Sequence, residues 1–521
     1  MKNFVGLALV LPLIACSGQP SGWNTDAGDD GATPLDDAGN PIVDDSGNPP
    51  PPTTNTLATG LPITDIAVYQ AVKVTVVKSG SPISTNSRNA PVVAGRDGLV
   101  RVFVKPTAPF THAITGVLTI TTGGVPHVVT ATLTPKAQST DAAFSSTFNF
   151  NVTGASFAAD TTYLVQLKDP QGTGTGDTSA QFPTSGSATA LGVQSSGPNV
   201  LIKLFPVMVS GGIPPSTGSL DVSAYQRIVQ SLYPTPQVTI SVQSPINYPY
   251  APPGPTDGNG WSQMLNWMIQ RRGNEPANVY WYGGFAPASS FTSYCSSGCI
   301  AGLSSIPGGP SDSQMKVSIG LMFGGNSSDD LATGQTMAHE VGHTHGREHS
   351  PTANNYQLGC ITPQSLDPSY PYANGSINTW GWDITQGNLV DPSKYFDVMG
   401  YCALDWISDY TYSALFNWIA ADNGLDMVGQ MSPGTYRMVT VDGSGAIVDV
   451  SAPMPVYGAV SGQPHTIKIT DNLGVIHTVT GYYSPYDHLP GGIFRVPESA
   501  FTISSLAIPD LGNKAVLKLA H

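Results

Sequence analysis

His339-Glu340-Val341-Gly342-His343-Thr344-His345-Gly346-Arg347-Glu348-His349 is the stretch on which the reading of this chain turns. It fits the pattern H-E-x-x-H-x-x-G-x-x-H without a departure. On a helix, side chains four apart share a face, so the imidazoles of His339 and His343 project together. Glu340 lies a fraction of a turn away, within reach of a proton on a metal-bound water. Gly346 lets the chain leave the helix at positive φ, where a side chain costs energy. His349 can then return as a third nitrogen ligand. Three protein nitrogens with one open position describe a catalytic zinc site rather than a structural one. His345 falls at a variable position of the pattern and reads as a surface or supporting residue, not a ligand. The chain has only ten His and four Glu. At such frequencies the five fixed positions match by chance in fewer than about one chain in 10⁵. That sets aside an ordinary amphipathic helix with solvated histidines.

A second element follows in chain order: Tyr395-Phe396-Asp397-Val398-Met399-Gly400-Tyr401-Cys402. Together the two stretches resemble the metzincin zinc metallopeptidases, which carry the long zinc motif and, some tens of residues later, a tight turn around a Met beneath the metal. The resemblance implies one catalytic Zn²⁺ held by His339, His343 and His349, with Glu340 as general base. It makes Met399 an apolar floor under the ligands, a place that suits a soft, adaptable thioether. Some metzincins carry a Tyr two residues past that Met, so Tyr401 is the candidate to donate its phenolic O–H to a developing oxyanion. The other reading of Tyr401 is a core aromatic with its hydroxyl satisfied locally.

The implied activity is that of a zinc-dependent endopeptidase acting on extracellular proteins or glycoproteins. The competing reading is a cell-surface adhesin or binding module with a structural or inactive zinc site. A structural site needs a fourth protein ligand, for which His345 and Asp397 are the candidates.

The start of the chain points to export. Lys2 precedes an apolar stretch at residues 4–14, too short to span a bilayer as a mature helix. Leu13-Ile14-Ala15-Cys16 resembles a bacterial lipobox, which implies removal of residues 1–15 and lipidation of Cys16. Each buried acyl CH₂ contributes about 0.8 kcal/mol, so several chains anchor firmly. Ser17 rather than Asp follows, which favours the outer membrane or cell surface; the alternative is plain secretion. Residues 16–57 read as a disordered tether, rich in Asp, Gly and Pro and unable to offset their ordering entropy. Seven Asp from Asp26 to Asp45 supply half of the net charge of −14. The run Asp26-Ala27-Gly28-Asp29-Asp30-Gly31 lacks the ligand spacing of a calcium loop, so calcium is unsupported. The rest of the chain has no basic stripe and gives nucleic-acid binding no support.

The other four cysteines are Cys295, Cys299, Cys360 and Cys402. An even number in an exported chain suggests two disulfides. Three pairings are open; Cys295–Cys299 as a local loop and Cys360–Cys402 as a clip to the Met turn are favoured. A cysteine zinc site is the weaker alternative.

The pattern predicts a multidomain chain: an α/β metzincin-like catalytic domain at 198–431, flanked by β-sandwich-like domains at 58–197 and 432–521. Short β-branched runs at 72–77, 99–104, 116–120, 127–133 and 162–167 read as an antiparallel sandwich. Arg96 and Arg101 there read as a surface pair or as part of a domain contact, with solvated side chains the default. In the central region, residues 200–209, 238–242, 279–282 and 317–323 read as strands, and 223–233 and 260–272 as helices. Residues 299–304 are the candidate edge strand for pairing with an extended substrate. The motif helix is expected over 330–345. A further helix is expected to start at the N-cap Ser408 and stop at Gly424. His465, His477 and His488 lack ligand spacing and read as surface or packing residues.

Overall fold

The computed structural model describes residues 56–355, 359–425, 433–498, 502–514 and 516–518. The expected signal peptide at 1–15, the Cys16 lipidation site, the acidic run at 26–45 and the tether up to residue 55 lie outside these. Leu57, at the expected end of the tether, already bridges Lys168.

Residues 63–168 build two antiparallel sheets around one core. The first centres on the long strand Ile63–Lys78, paired with Gly98–Val104, which pairs in turn with Phe148–Val152. The second pairs Ile114–Thr122 with Val125–Leu133 and Thr162–Lys168. Burial alternates along Ile114–Thr122 and Thr162–Lys168, so Leu118, Ile120, Tyr163 and Val165 face Val100, Val102, Phe148 and Phe150. Period-two alternation of β-branched residues is what such a half-buried strand requires.

A mixed α/β sheet follows, in the order Val238–Val242, Val200–Met208, Val279–Phe285, Val317–Leu321 and Gly302–Ser304. The first four run parallel and the last is antiparallel at the edge. Val279–Phe285 and Val317–Leu321 are buried on both faces, which fits their lack of charged side chains. Helices Ser219–Leu232, Gly258–Ile269 and Ser327–Thr344 accompany this sheet. Beyond residue 433, an eight-stranded sheet runs from Gly434–Asp442 to Val516–Lys518. None of the helices among the described residues is long and apolar enough to cross a membrane.

Three observations tie these parts together. Strand Gly381–Asp383, which follows the motif helix in sequence, joins the first sheet by pairing with Ile63–Lys78. The Trp406 indole donates to the Ala71 carbonyl at 2.9 Å. The C-terminal sheet shares a core with the α/β region, where Met438, Val456, Tyr486 and Ile493 pack with Trp261, Met264 and Leu265.

Both arginines are buried, which corrects the solvated reading; Arg96 instead makes the domain contact that was its alternative. Arg96 donates to the carbonyls of Gln230 at 2.7 Å and Ser231 at 2.9 Å, the orphan acceptors at the end of helix Ser219–Leu232. Arg101 donates to the carbonyl of Asp141 at 2.9 Å and the Tyr69 hydroxyl at 3.2 Å, and lies over the ring of Phe103. Helix Asp409–Leu425 starts where expected, with Ser408 Oγ accepting from the Thr411 amide at 3.1 Å. It passes through Gly424 rather than stopping there.

Both favoured disulfides are present, Cys295–Cys299 and Cys360–Cys402. The second spans 42 residues of sequence and joins the loop after His349 to the residue following Tyr401. For a loop of that size, chain entropy makes the bond worth about 4 kcal/mol. We expect the Cys360→Ser/Cys402→Ser double variant to lose about 2–4 kcal/mol in urea denaturation. A loss under about 1 kcal/mol would show that the clip constrains little.

Candidate metal centre

Helix Ser327–Thr344 is opened by Asn326, whose side-chain oxygen accepts from the amides of Ser328 at 3.1 Å and Asp329 at 3.0 Å. Asp329 and Asp330 in its first turn complement the helix dipole. His339 and His343 lie one turn apart on this helix, and both are buried. The helix ends at Thr344, and the chain leaves it through Gly346, whose φ is +71°. A Cβ there would also lie 2.3 Å from the Trp418 ring, so conformation and space both require glycine. The chain then turns back, and His349 is pinned by its amide to the Ser365 carbonyl at 3.0 Å and by its own carbonyl to the Asp367 amide at 2.8 Å.

The three rings are held in one tautomer. Nδ1 of His339 faces the Val398 carbonyl, Nδ1 of His343 the Arg347 carbonyl and Nδ1 of His349 the Gln364 carbonyl, each at 2.6 Å. A carbonyl only accepts, so each Nδ1 carries the proton and each Nε2 presents a lone pair. Nε2 of His339 and Nε2 of His343 stand 3.0 Å apart, and the buried Nε2 of His349 has no hydrogen-bond partner among the described residues. Lone pairs brought together without a proton between them repel, and a cation at their focus removes that cost. The donor set therefore fits a metal ion that accepts imidazole nitrogen. Burial lowers the pKa of all three rings, that of His343 to about 4, so they are neutral and ready to ligate at pH 7.

The turn around Met399 packs against the helix, where a Cβ at Gly342 would lie 2.6 Å from the Met399 sulfur. Asp397, fully buried, accepts from the amides of Met399 at 2.9 Å and Ser408 at 3.0 Å, which fixes the turn. The Val398 carbonyl of that turn is the one that orients His339. Met399 is buried in the same core as Val341 and Met337. The Tyr401 ring lies 4.9 Å from that of His349, so the Tyr is brought to the centre.

Glu340 is fully buried. Ser304 Oγ, on the edge strand, lies 2.8 Å from Oε2 of Glu340 and the same distance from its backbone oxygen. The edge backbone approaches so closely that a Cβ at Gly302 would lie 2.3 Å from Oε1. Oε1 is buried and has no hydrogen-bond partner among the described residues. Burial, and then the neighbouring Asp487 carboxylate, raise the Glu340 pKa well above the usual range; the Ser304 hydroxyl opposes this.

His345 and Asp397, the two candidates for a fourth ligand, do other work. Asp397 holds the Met turn, as above. His345 is buried, faces the Val341 carbonyl through Nδ1 at 2.7 Å and stacks on Tyr280 at 4.1 Å. Burial pushes its pKa from 6.5 down to about 3. The folded state then holds this ring neutral while the unfolded chain takes up a proton below pH 6.5, so stability falls as pH drops through that window. We expect about 2 kcal/mol of the stability lost between pH 7 and pH 5 to come from His345. In denaturation at both pH values, His345→Phe, which keeps the stack, should lose that much less than the parent on acidification. Equal losses would contradict the assignment.

His488 is not the surface or packing residue expected from its spacing: His339, His343, His349 and His488 each bring a ligand atom within 4.8 Å of the others. Nδ1 of His488 is hydrogen-bonded to the Asp487 carboxylate, and Nε2 of His488 lies 3.7 Å from Oε1 of Glu340. Asp487 also lies 3.3 Å from Nε2 of His343. No local spacing signals this, because the two residues come from a turn of the C-terminal sheet. The only hint in the sequence is an Asp-His pair in a Pro- and Gly-flanked segment, Pro485-Tyr486-Asp487-His488-Leu489-Pro490-Gly491.

Residues 313–401, from the approach to strand Val317–Leu321 through to Tyr401, match the family model described as Peptidase M66. Among solved structures the chain is similar to metalloproteinase-II from Bacteroides fragilis, at 11% identity and a TM-score of 0.20, covering 53% of this chain and 76% of that one. Among curated proteins none matches in sequence. The family match over the motif helix and Met turn, together with the convergent histidines, supports a metallopeptidase.

Proposed function

We propose that this chain is a zinc-dependent endopeptidase of metzincin type that hydrolyses peptide bonds in extracellular proteins or glycoproteins. The observation that carries the reading is the convergence of three Nε2 lone pairs beside the buried carboxylate of Glu340. His339, His343 and His349 would hold the ion. When bound, zinc supplies a water of lowered pKa and polarises the scissile carbonyl.

The protein's own groups do the rest. Glu340 accepts the proton of the attacking water on Oε1 and delivers it to the leaving amine. Ser304 holds the other oxygen of that carboxylate, so Oε1 keeps a fixed aim. Tyr401, whose ring lies 4.9 Å from that of His349, would offer its O–H to the developing oxyanion. The Nδ1–carbonyl bonds keep all three rings oriented and basic. The Leu13-Ile14-Ala15-Cys16 run supports a lipid anchor at the outer membrane or cell surface, and the two disulfides fit an oxidising compartment.

One observation favours a second reading, a binding module with a closed metal site: the fourth imidazole, His488, faces the other three. A mixed peptide library incubated with the full chain and with His488→Ala, read by mass spectrometry, separates the two. New termini from either chain support the peptidase. Intact peptides with both chains, zinc being bound, would favour the binding module.

A further inference from the structure

We propose that the turn Tyr486-Asp487-His488 is a built-in stopper: His488 fills the fourth metal position, and residues 485–487 occupy the edge where an extended substrate would pair. The resting chain is then latent, and opening requires the turn to leave.

The edge strand shows the occupation directly. Gly302–Ser304 ends the α/β sheet beside Glu340, where an added strand would be expected to dock. The position is taken. Ser305 forms an antiparallel bridge with Tyr486, the Ile306 amide donates to the Pro485 carbonyl at 3.1 Å, and the Asp487 amide donates to the Ser304 carbonyl at 3.2 Å. The Asp487 carboxylate also accepts from the Ser304 amide at 2.9 Å. The intruding segment thus pairs with the edge as a bound peptide would.

The metal side is closed by the same turn. The His488–Asp487 hydrogen bond sets the tautomer of His488, which leaves Nε2 with its lone pair on the side of Glu340. Four imidazoles leave no position for the reacting water in a tetrahedral site. Glu340, His343 and His349 are fully buried with the turn in place. The turn is anchored from behind. Tyr486 is buried and donates to Asn266 Oδ1 at 2.9 Å, and Arg495 pairs with Asp312 across the same interface. Displacement of His488 alone needs only its side chain, whereas full clearance of the edge needs movement of the C-terminal sheet.

The activity part of this inference rests on the peptidase reading; the geometry does not. The test replaces zinc by cobalt(II), whose visible spectrum reports its ligands, and adds acetohydroxamate as a probe of access. The full chain should show a cobalt spectrum that acetohydroxamate leaves unchanged. In His488→Ala the spectrum should shift before addition and respond to the probe. Peptide hydrolysis should rise at least about tenfold in that variant, the factor expected if fewer than about one resting chain in ten is open. Asp487→Asn, which keeps the turn's size, should give the same changes in weaker form. A full chain whose cobalt responds to acetohydroxamate overturns the stopper without recourse to any variant. So does a folded His488→Ala chain that stays closed. Opening of the cobalt site without any gain in hydrolysis upholds the stopper at the metal and leaves residues 485–487 as the remaining block at the edge.

Discussion

Glu340→Gln, made in the His488→Ala chain so that the site is open, should lower peptide hydrolysis by about 10²–10⁴-fold with zinc content unchanged. The amide is nearly isosteric and can still meet Ser304, so the edge strand and the helix have no cause to move. It cannot accept a proton at the position of Oε1. Metal retention should survive because the three rings are oriented by the carbonyls of Val398, Arg347 and Gln364, none of which involves Glu340. The measurement pairs kcat/KM on a cleaved library peptide with zinc per chain. Undiminished turnover would sink the role of Glu340, and loss of zinc would show that its buried carboxylate helps to hold the site together.

His349→Ala should weaken zinc retention by more than about 100-fold, beyond the 10–100-fold typical of losing an outer partner. The loop around His349 is held by main-chain bonds to Ser365 and Asp367, so removing the ring leaves the backbone in place and deletes only the nitrogen. In the resting chain His488 can stand in as a third nitrogen, so the loss should be larger when His488 is also replaced. Competition with a chromogenic chelator reads both variants. Retention equal to the parent in His349→Ala/His488→Ala would mean that the ligand set is wrong.

Much of the centre was legible because its signals are local. A helix brings residues four apart together whatever the rest of the chain does, so His339 and His343 could be placed from spacing alone. The need for glycine at 346 followed from the turn, although its contact with Trp418 did not. The alternating runs of the second sheet were readable for the same reason: one face of Ile114–Thr122 and of Thr162–Lys168 is buried. What was hidden depends on contacts distant in sequence. Nothing near Gly381–Asp383 announces pairing with Ile63–Lys78, and nothing near Arg96 announces the end of a helix more than a hundred residues on. Charge misled at Arg101, where carbonyls, the Tyr69 hydroxyl and ring faces take up a buried guanidinium in place of water. His488 was the most consequential omission. Spacing rules describe ligands that share an element, and this ring arrives from another sheet.

The central claim is that hydrolysis depends on a metal held by this histidine cluster. Chelation followed by zinc restoration, with cleavage of a peptide library by His488→Ala followed throughout, tests it most directly. The account predicts new peptide termini that vanish as zinc is withdrawn and return as about one zinc per chain is restored, the stoichiometry of a single catalytic site. Cleavage that survives complete removal of the metal, or a zinc-loaded open chain that leaves every peptide intact, would contradict it.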